Sequence, residues 1–184
     1  MNLKRVFLPV LIAALAATPA LATTVLHMNL DGLCDNADKI FRGTVLDVEK
    51  GTITAGGGEL PTVSYTLEVT EEFLGTYTEV KGKKIATITM VGTPASLAGD
   101  VENVNGVAHF STLPSPPDLQ IGHDYLLLTT AESALGLSTT VGLGQGCFSI
   151  DGDKAMNFFQ NEGLYEGPVS YERLAADIRG ALAQ

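Results

Sequence analysis

The sequence predicts a mainly β domain, five strands set between a short amino-terminal helix and an amphipathic carboxy-terminal one. Three observations carry this. From 63 to 70, Val63, Tyr65, Leu67 and Val69 alternate with Ser64, Thr66, Glu68 and Thr70, the period of a strand with one buried face. Other runs rich in β-branched and aromatic residues are punctuated by glycine and proline. The last stretch instead repeats Tyr171, Leu174, Ala175, Ile178 and Leu182 on one helical face.

Taken in order, the chain opens with Lys4 and Arg5, an apolar run over 6–15 broken by Pro9, and small residues at Ala20 and Ala22. This is the pattern of a secretory signal peptide over residues 1–22. The run is shorter than the ~20 residues that span a bilayer, so no membrane anchor is expected after cleavage. Cleavage takes 22 of 184 residues, leaves 162, and moves the net charge from −10 to −12 by removing Lys4 and Arg5. Residues 23–184 are expected to form one domain with its own core, outside the cytoplasm, periplasmic or secreted, and monomeric. So acidic a chain repels nucleic acid and anionic lipid.

Residues 23–27 read as an extended lead. Asn29 or Asp31 caps a short helix through Leu30, Leu33, Cys34 and Ala37. Residues 40–48 form a first strand, with Gly43 marking a bulge or tight bend. Gly56-Gly57-Gly58 is a turn, Pro61 opens the alternating second strand, and Gly75 ends it after Phe73. The basic turn 81–84 leads to a third strand over 85–91. The connection 92–121 contains Gly92, Pro94, Gly99, Gly106, Pro114, Pro116 and Pro117, with 104–110 its one β-prone piece. Connections of that length commonly carry function, and Leu97, Val104, Phe110 and Leu113 are its candidate binding residues. The unbroken apolar run 125–130 is a strand buried on both faces. Residues 137–143 form the fifth strand, extended past Gly142, Gly144 and Gly146 by 147–150. Ser170 caps the last helix, 170–183. Five strands is the count of an OB-type Greek-key barrel; a β-sandwich fits the count as well.

The only two cysteines, Cys34 and Cys147, are expected to form a disulfide because the chain is exported. It would close a loop of 113 residues (147 less 34), worth ~4–5 kcal/mol on chain-entropy grounds. The glycines at 142–146 read as a bend that swings Cys147 toward Cys34. The three histidines, His27, His109 and His123, are too scattered for a metal site. Ser138, Thr139, Thr140 and Ser149 lack a nucleophile context. Asp151-Gly152-Asp153 reads as a turn: Glu162 falls at the twelfth position of a calcium loop, but Ala155 and Asn157 occupy its fifth and seventh. The glycines at 142–146 precede neither lysine nor helix, so they form no phosphate loop. No catalytic residue, cofactor or metal is expected, and the chain is not read as an enzyme.

Four landmarks recur in the order found in the netrin-like module, which includes the amino-terminal domain of the tissue inhibitors of metalloproteinases. They are Cys34 followed by Asn36-Ala37-Asp38; Tyr65-x-Leu67 with Phe73 and Gly75; Gly122-x-x-Tyr125-Leu126; and the closing Cys147. They span residues 30–150, about two thirds of the chain. The chain also resembles a set of exported bacterial proteins of uncharacterised role that share the ending Gln145-Gly146 with an aromatic at Phe148. The resemblance to the netrin-like module implies a five-stranded OB barrel and a Cys34–Cys147 bridge. Its inhibitory mechanism does not carry over. Those inhibitors begin with a cysteine whose amine and carbonyl meet a catalytic zinc, held by disulfides. This chain has an extra Asp35, two cysteines in all, and would begin Thr23-Thr24-Val25 with nothing to fix it.

The expected function is that of an exported, soluble binding module engaging an exported peptidase or surface protein through the 92–121 connection. The alternative is a carrier of a small molecule or lipid in the barrel mouth.

Overall fold

The computed structural model describes residues 26–94, 116–157, 159 and 164–184. The signal segment 1–22 lies outside them. After helix α1 (Leu30–Asp35) come β1 (Lys39–Ala55), β2 (Gly58–Leu74), β3 (Thr78–Val80), β4 (Lys83–Val91), β5 (Asp124–Thr129), β6 (Cys147–Asp151), β7 (Lys154–Asn157) and β8 (Val169–Ser170). Helix α2 (Tyr171–Leu182) follows. The strands form one antiparallel sheet in the order β3-β4-β2-β1-β5-β6-β7-β8.

Among the described residues eight strands stand where five were expected. β3, β7 and β8 are additions of three, four and two residues. The expected fifth strand is the larger correction. Residues 137–140 make a bridge between Thr140 and Thr129, the chain then turns through a 3₁₀ segment at Val141–Gly144, and pairing resumes at Cys147. A backbone hydrogen bond from Ser138 N to Thr89 O, 2.9 Å, ties this segment to β4 on the far side of the sheet order.

β1 and β2 make one long hairpin with Gly56-Gly57 at its tip, both at positive φ, as a two-residue hairpin turn requires. Its register slips at three places, and each slip turns the strand. Opposite Gly43 the extra residue is Thr70 of β2. A Cβ on Gly43 would stand 2.8 Å from Glu68 O, so the bend expected at this glycine is also a site of close backbone approach. On β1 the extra residue is Leu46, which lets Val45 and Val48 both face inward although three residues apart.

Each face of the sheet carries its own core. On one, Ile40, Leu126, Leu128, Phe148 and Ile150 pack under α1 and α2 with Leu33, Cys34, Leu174 and Ile178. On the other, Phe41, Val45, Val63, Tyr65, Leu67, Ile88, Met90, Leu127 and Cys147 pack with Leu119 from the end of the long connection. β5 is buried on both faces, as its apolar run predicts. Asn29 caps α1 by accepting from Gly32 N, and Ser170 caps α2 by accepting from Arg173 N.

The two cores decide the fate of the expected bridge. Side chains alternate across a strand. Phe148 therefore points toward α1 and Cys34, while its neighbour Cys147, opposite Leu127, points into the other core. The thiols of Cys34 and Cys147 lie on opposite faces of the sheet, and both are free and buried. The Cys34–Cys147 disulfide is not made in this structure.

Candidate functional site

The glycine-rich turn that precedes β6 does something other than aim Cys147. Gln145, 2 % exposed, lies flat in it and reads the main chain of the lead. Its Oε1 accepts from Met28 N at 2.9 Å, and its Nε2 donates to Leu26 O at 2.9 Å. These are the two bonds a neighbouring strand would make to residues i and i+2. Nε2 also donates to Gly142 O at 3.1 Å. The start expected to be unfixed, Thr23-Thr24-Val25, lies outside the described residues; from 26 to 28 the Gln145 amide holds the main chain.

Each glycine of the turn has a steric reason. At Gly142, φ 66°, a Cβ would meet Gln145 Nε2 at 2.9 Å; at Gly144, φ 108°, it would meet the Phe159 ring at 2.9 Å. At Gly146 it would meet Leu128 O at 2.7 Å, and through that close approach Leu128 N donates to Gly146 O. Leu143 has no such licence, yet it sits at φ 56°, a region that costs a non-glycine residue about 1 kcal/mol or more. Its side chain is 44 % exposed. Asn157 closes the arrangement from β7: its Nδ2 donates to Gln145 O at 2.6 Å, and its Oδ1 accepts from Phe159 N at 2.9 Å.

Three exposed apolar side chains therefore surround one turn: Leu26 at 82 %, Leu143 at 44 % and Phe159 at 49 %. Pro117 comes within 3.9 Å of a Cβ built on Gly144, so the long connection re-enters the described fold at this same end. Its return is anchored. Tyr65 OH donates to Pro117 O at 2.8 Å, Gln120 N donates to Tyr125 OH at 3.0 Å, and Leu119 is buried between them. Burial pushes the Tyr65 phenol up to about 12 and raises Tyr125, so both stay protonated near neutral pH. No family model matches this chain, and no curated protein matches it. The geometry alone therefore bears on function.

The residues singled out from the sequence fare differently. Leu97, Val104, Phe110 and Leu113 lie outside the described residues. Cys34 and Cys147 are core residues; burial drives the Cys34 thiol up to about 11, with Asp31 and Asp35 adding to the shift, and burial raises Cys147 further. Gln145, Leu26, Leu143 and Phe159 were not anticipated. The available signal was the amide flanked by Gly144 and Gly146, a polar residue where the glycines leave room for nothing but a buried contact.

Two other polar features are structural. On the helix side, Asp124 accepts from Arg42 Nη2 at 2.7 Å and from Thr44 Oγ1 at 2.5 Å. The Arg42 guanidinium lies 4.6 Å over the Tyr171 ring. Tyr171 OH and Arg179 both donate to Glu71, which fastens α2 to β2. Between α1 and α2 an open groove of about 520 Å³ is lined in part by Leu30, Tyr165, Arg173 and Asp177. Within it Tyr165 OH donates to Asp177 at 2.9 Å, and Arg173 pairs with Asp177 at 3.7 Å. Among the described residues, no three His, Cys, Asp or Glu side chains gather where they could hold a metal ion.

Proposed function

We propose that this chain is an exported, non-enzymatic binding module that engages an exported peptidase or surface protein through the 92–121 connection, built on a partly open OB-type Greek-key barrel. The bond from Ser138 N to Thr89 O supports the barrel reading: it brings the segment between β5 and β6 against β4, the neighbour that strand order requires in such a barrel.

The observation that carries the binding reading is the convergence at the 142–146 turn. The return of the connection at Pro117 abuts Gly144, beside exposed Leu26, Leu143 and Phe159. Leu143 is held in the left-handed region while 44 % exposed, and such strain is the kind that clusters at ligand-contact sites. Pro116 and Pro117 stiffen the returning end, which lowers the entropy lost on binding. The second core is filled by Phe41, Tyr65, Leu119 and Leu127, with both phenols committed to the 117–120 main chain; this favours the module over the carrier.

The test uses a partner captured from periplasm or medium, then titrated in purified form. Replacing residues 108–117 with a short Gly-Ser turn should abolish binding. An extension ahead of Thr23 should leave it intact, because it does not touch the connection. Retention of full affinity by the loop-replaced chain would overturn the assignment.

A further inference from the structure

We propose that the cleft beside Gln145 is an acceptor for extended peptide, and that residues 26–28 are its built-in, displaceable occupant. The ligand class is a polypeptide segment in strand conformation with an apolar side chain, such as methionine, two residues after the carbonyl that Gln145 grips. The inference stands on the Gln145 geometry and does not require the 92–121 connection to bind anything.

Three features carry it. The two bonds from the Gln145 amide to the lead are to main-chain atoms, Leu26 O and Met28 N, in the manner of strand addition. Leu26 and His27 are exposed, whereas Met28 packs against the helix-side core; the side chain that selects is the one at i+2. The amide is also pre-aimed without the lead. Gly142 O accepts from Nε2, Asn157 holds the Gln145 carbonyl, and the missing Cβ at Gly142 leaves the side chain its place. When the lead leaves, Oε1 gives up its bond to Met28 N, and an extended backbone that presents an N–H at the same place restores it. In the intact chain the tethered lead competes at high effective concentration, so the cleft is masked until the lead is weakened.

The experiment keeps the full chain. Met28→Pro removes the N–H that Oε1 accepts and weakens the lead. A dye-labelled peptide with the sequence of residues 24–30 should then bind, by fluorescence anisotropy, at least about tenfold tighter than to the unaltered chain. The same peptide N-methylated at the methionine nitrogen should not bind, and Met28→Pro combined with Gln145→Leu should lose the gain. A folded Met28→Pro chain that binds no better than the unaltered one, or equal binding of the methylated peptide, overturns the proposal. If Met28→Pro does not fold, the unaltered chain decides. Millimolar unlabelled peptide should speed hydrogen exchange at the Met28 amide by displacing it, and an unchanged rate overturns the proposal equally.

Discussion

Cys147 and Phe148 sit side by side in β6 and face different cores, and that single alternation governs the thiol chemistry of the chain. Two consequences can be measured. In denaturant, a thiol reagent should count two free thiols per molecule; one bridge and no thiols would contradict the face assignment. In the native protein both should react slowly, since burial raises both thiols and leaves little thiolate near neutral pH. Asp124 gives the acid response. Burial pushes its carboxyl up, but the hydrogen bonds from Thr44 and Arg42 and the Arg42 charge outweigh burial and hold it below the usual carboxylate value. A carboxyl lowered in the folded state stabilises fully above its unfolded pKa of about 3.9 and loses that contribution as pH falls through the folded value. Asp124→Asn should therefore cost about 1–3 kcal/mol at neutral pH. The gap between the two proteins in urea unfolding should narrow below about pH 4; a constant gap down to pH 2 would mean the carboxylate charge contributes nothing.

At the scale of the element, β2 is the strand whose period was plainest, and its register is as read. Val63, Tyr65 and Leu67 are fully buried, Val69 packs partly against the same core, and Thr66 between them is partly buried and outside that core. Leu67→Ala should destabilise by about 2–5 kcal/mol through lost burial and a residual cavity. Thr66→Ala should change unfolding by about 0.5 kcal/mol or less, because its side chain is no part of that core. Similar losses at both would refute the register. Long periodic or wholly apolar runs were thus legible: β2, β4, β5 and the amphipathic α2. β3, β7 and β8 were not, because strands of two to four residues complete no period and owe their pairing to neighbours. Residues 137–143 misled for a different reason. Their composition suits a strand, but the contact between Gln145 and Gly142 needs the chain to leave the ladder, a tertiary demand that local propensity does not express.

At the scale of the molecule, the sequence conveyed a β-rich fold with a terminal helix but not how many cores it has. The bridge was expected from export and from the resemblance, whereas the sheet puts the two cysteines in separate cores. Gln145 was passed over for a related cause: a lone polar residue in a glycine run reads as a bend, and its partners at 26 and 28 lie 119 and 117 residues away. The helix-side core depends on α2 for Leu174 and Ile178. A chain stopped after residue 168 should expose Ile40, Leu126, Leu128 and Phe148, bind a hydrophobic dye strongly, and show no cooperative thermal transition. A sharp transition in that chain would show that the second core suffices for folding.

The bonds from Tyr171 and Arg179 to Glu71 join positions 100 and 108 residues apart, and this sets an order of events. The β1–β2 hairpin is local and can form as soon as its tip is made, whereas loop closure delays contacts so distant in sequence. Until residues 171–182 arrive, the face that α2 will cover stays greasy and unpaired, and copies at high concentration stick through it. A chain assembled on this schedule gains most from being delivered whole, and from being kept from its own kind for the interval before its last helix docks.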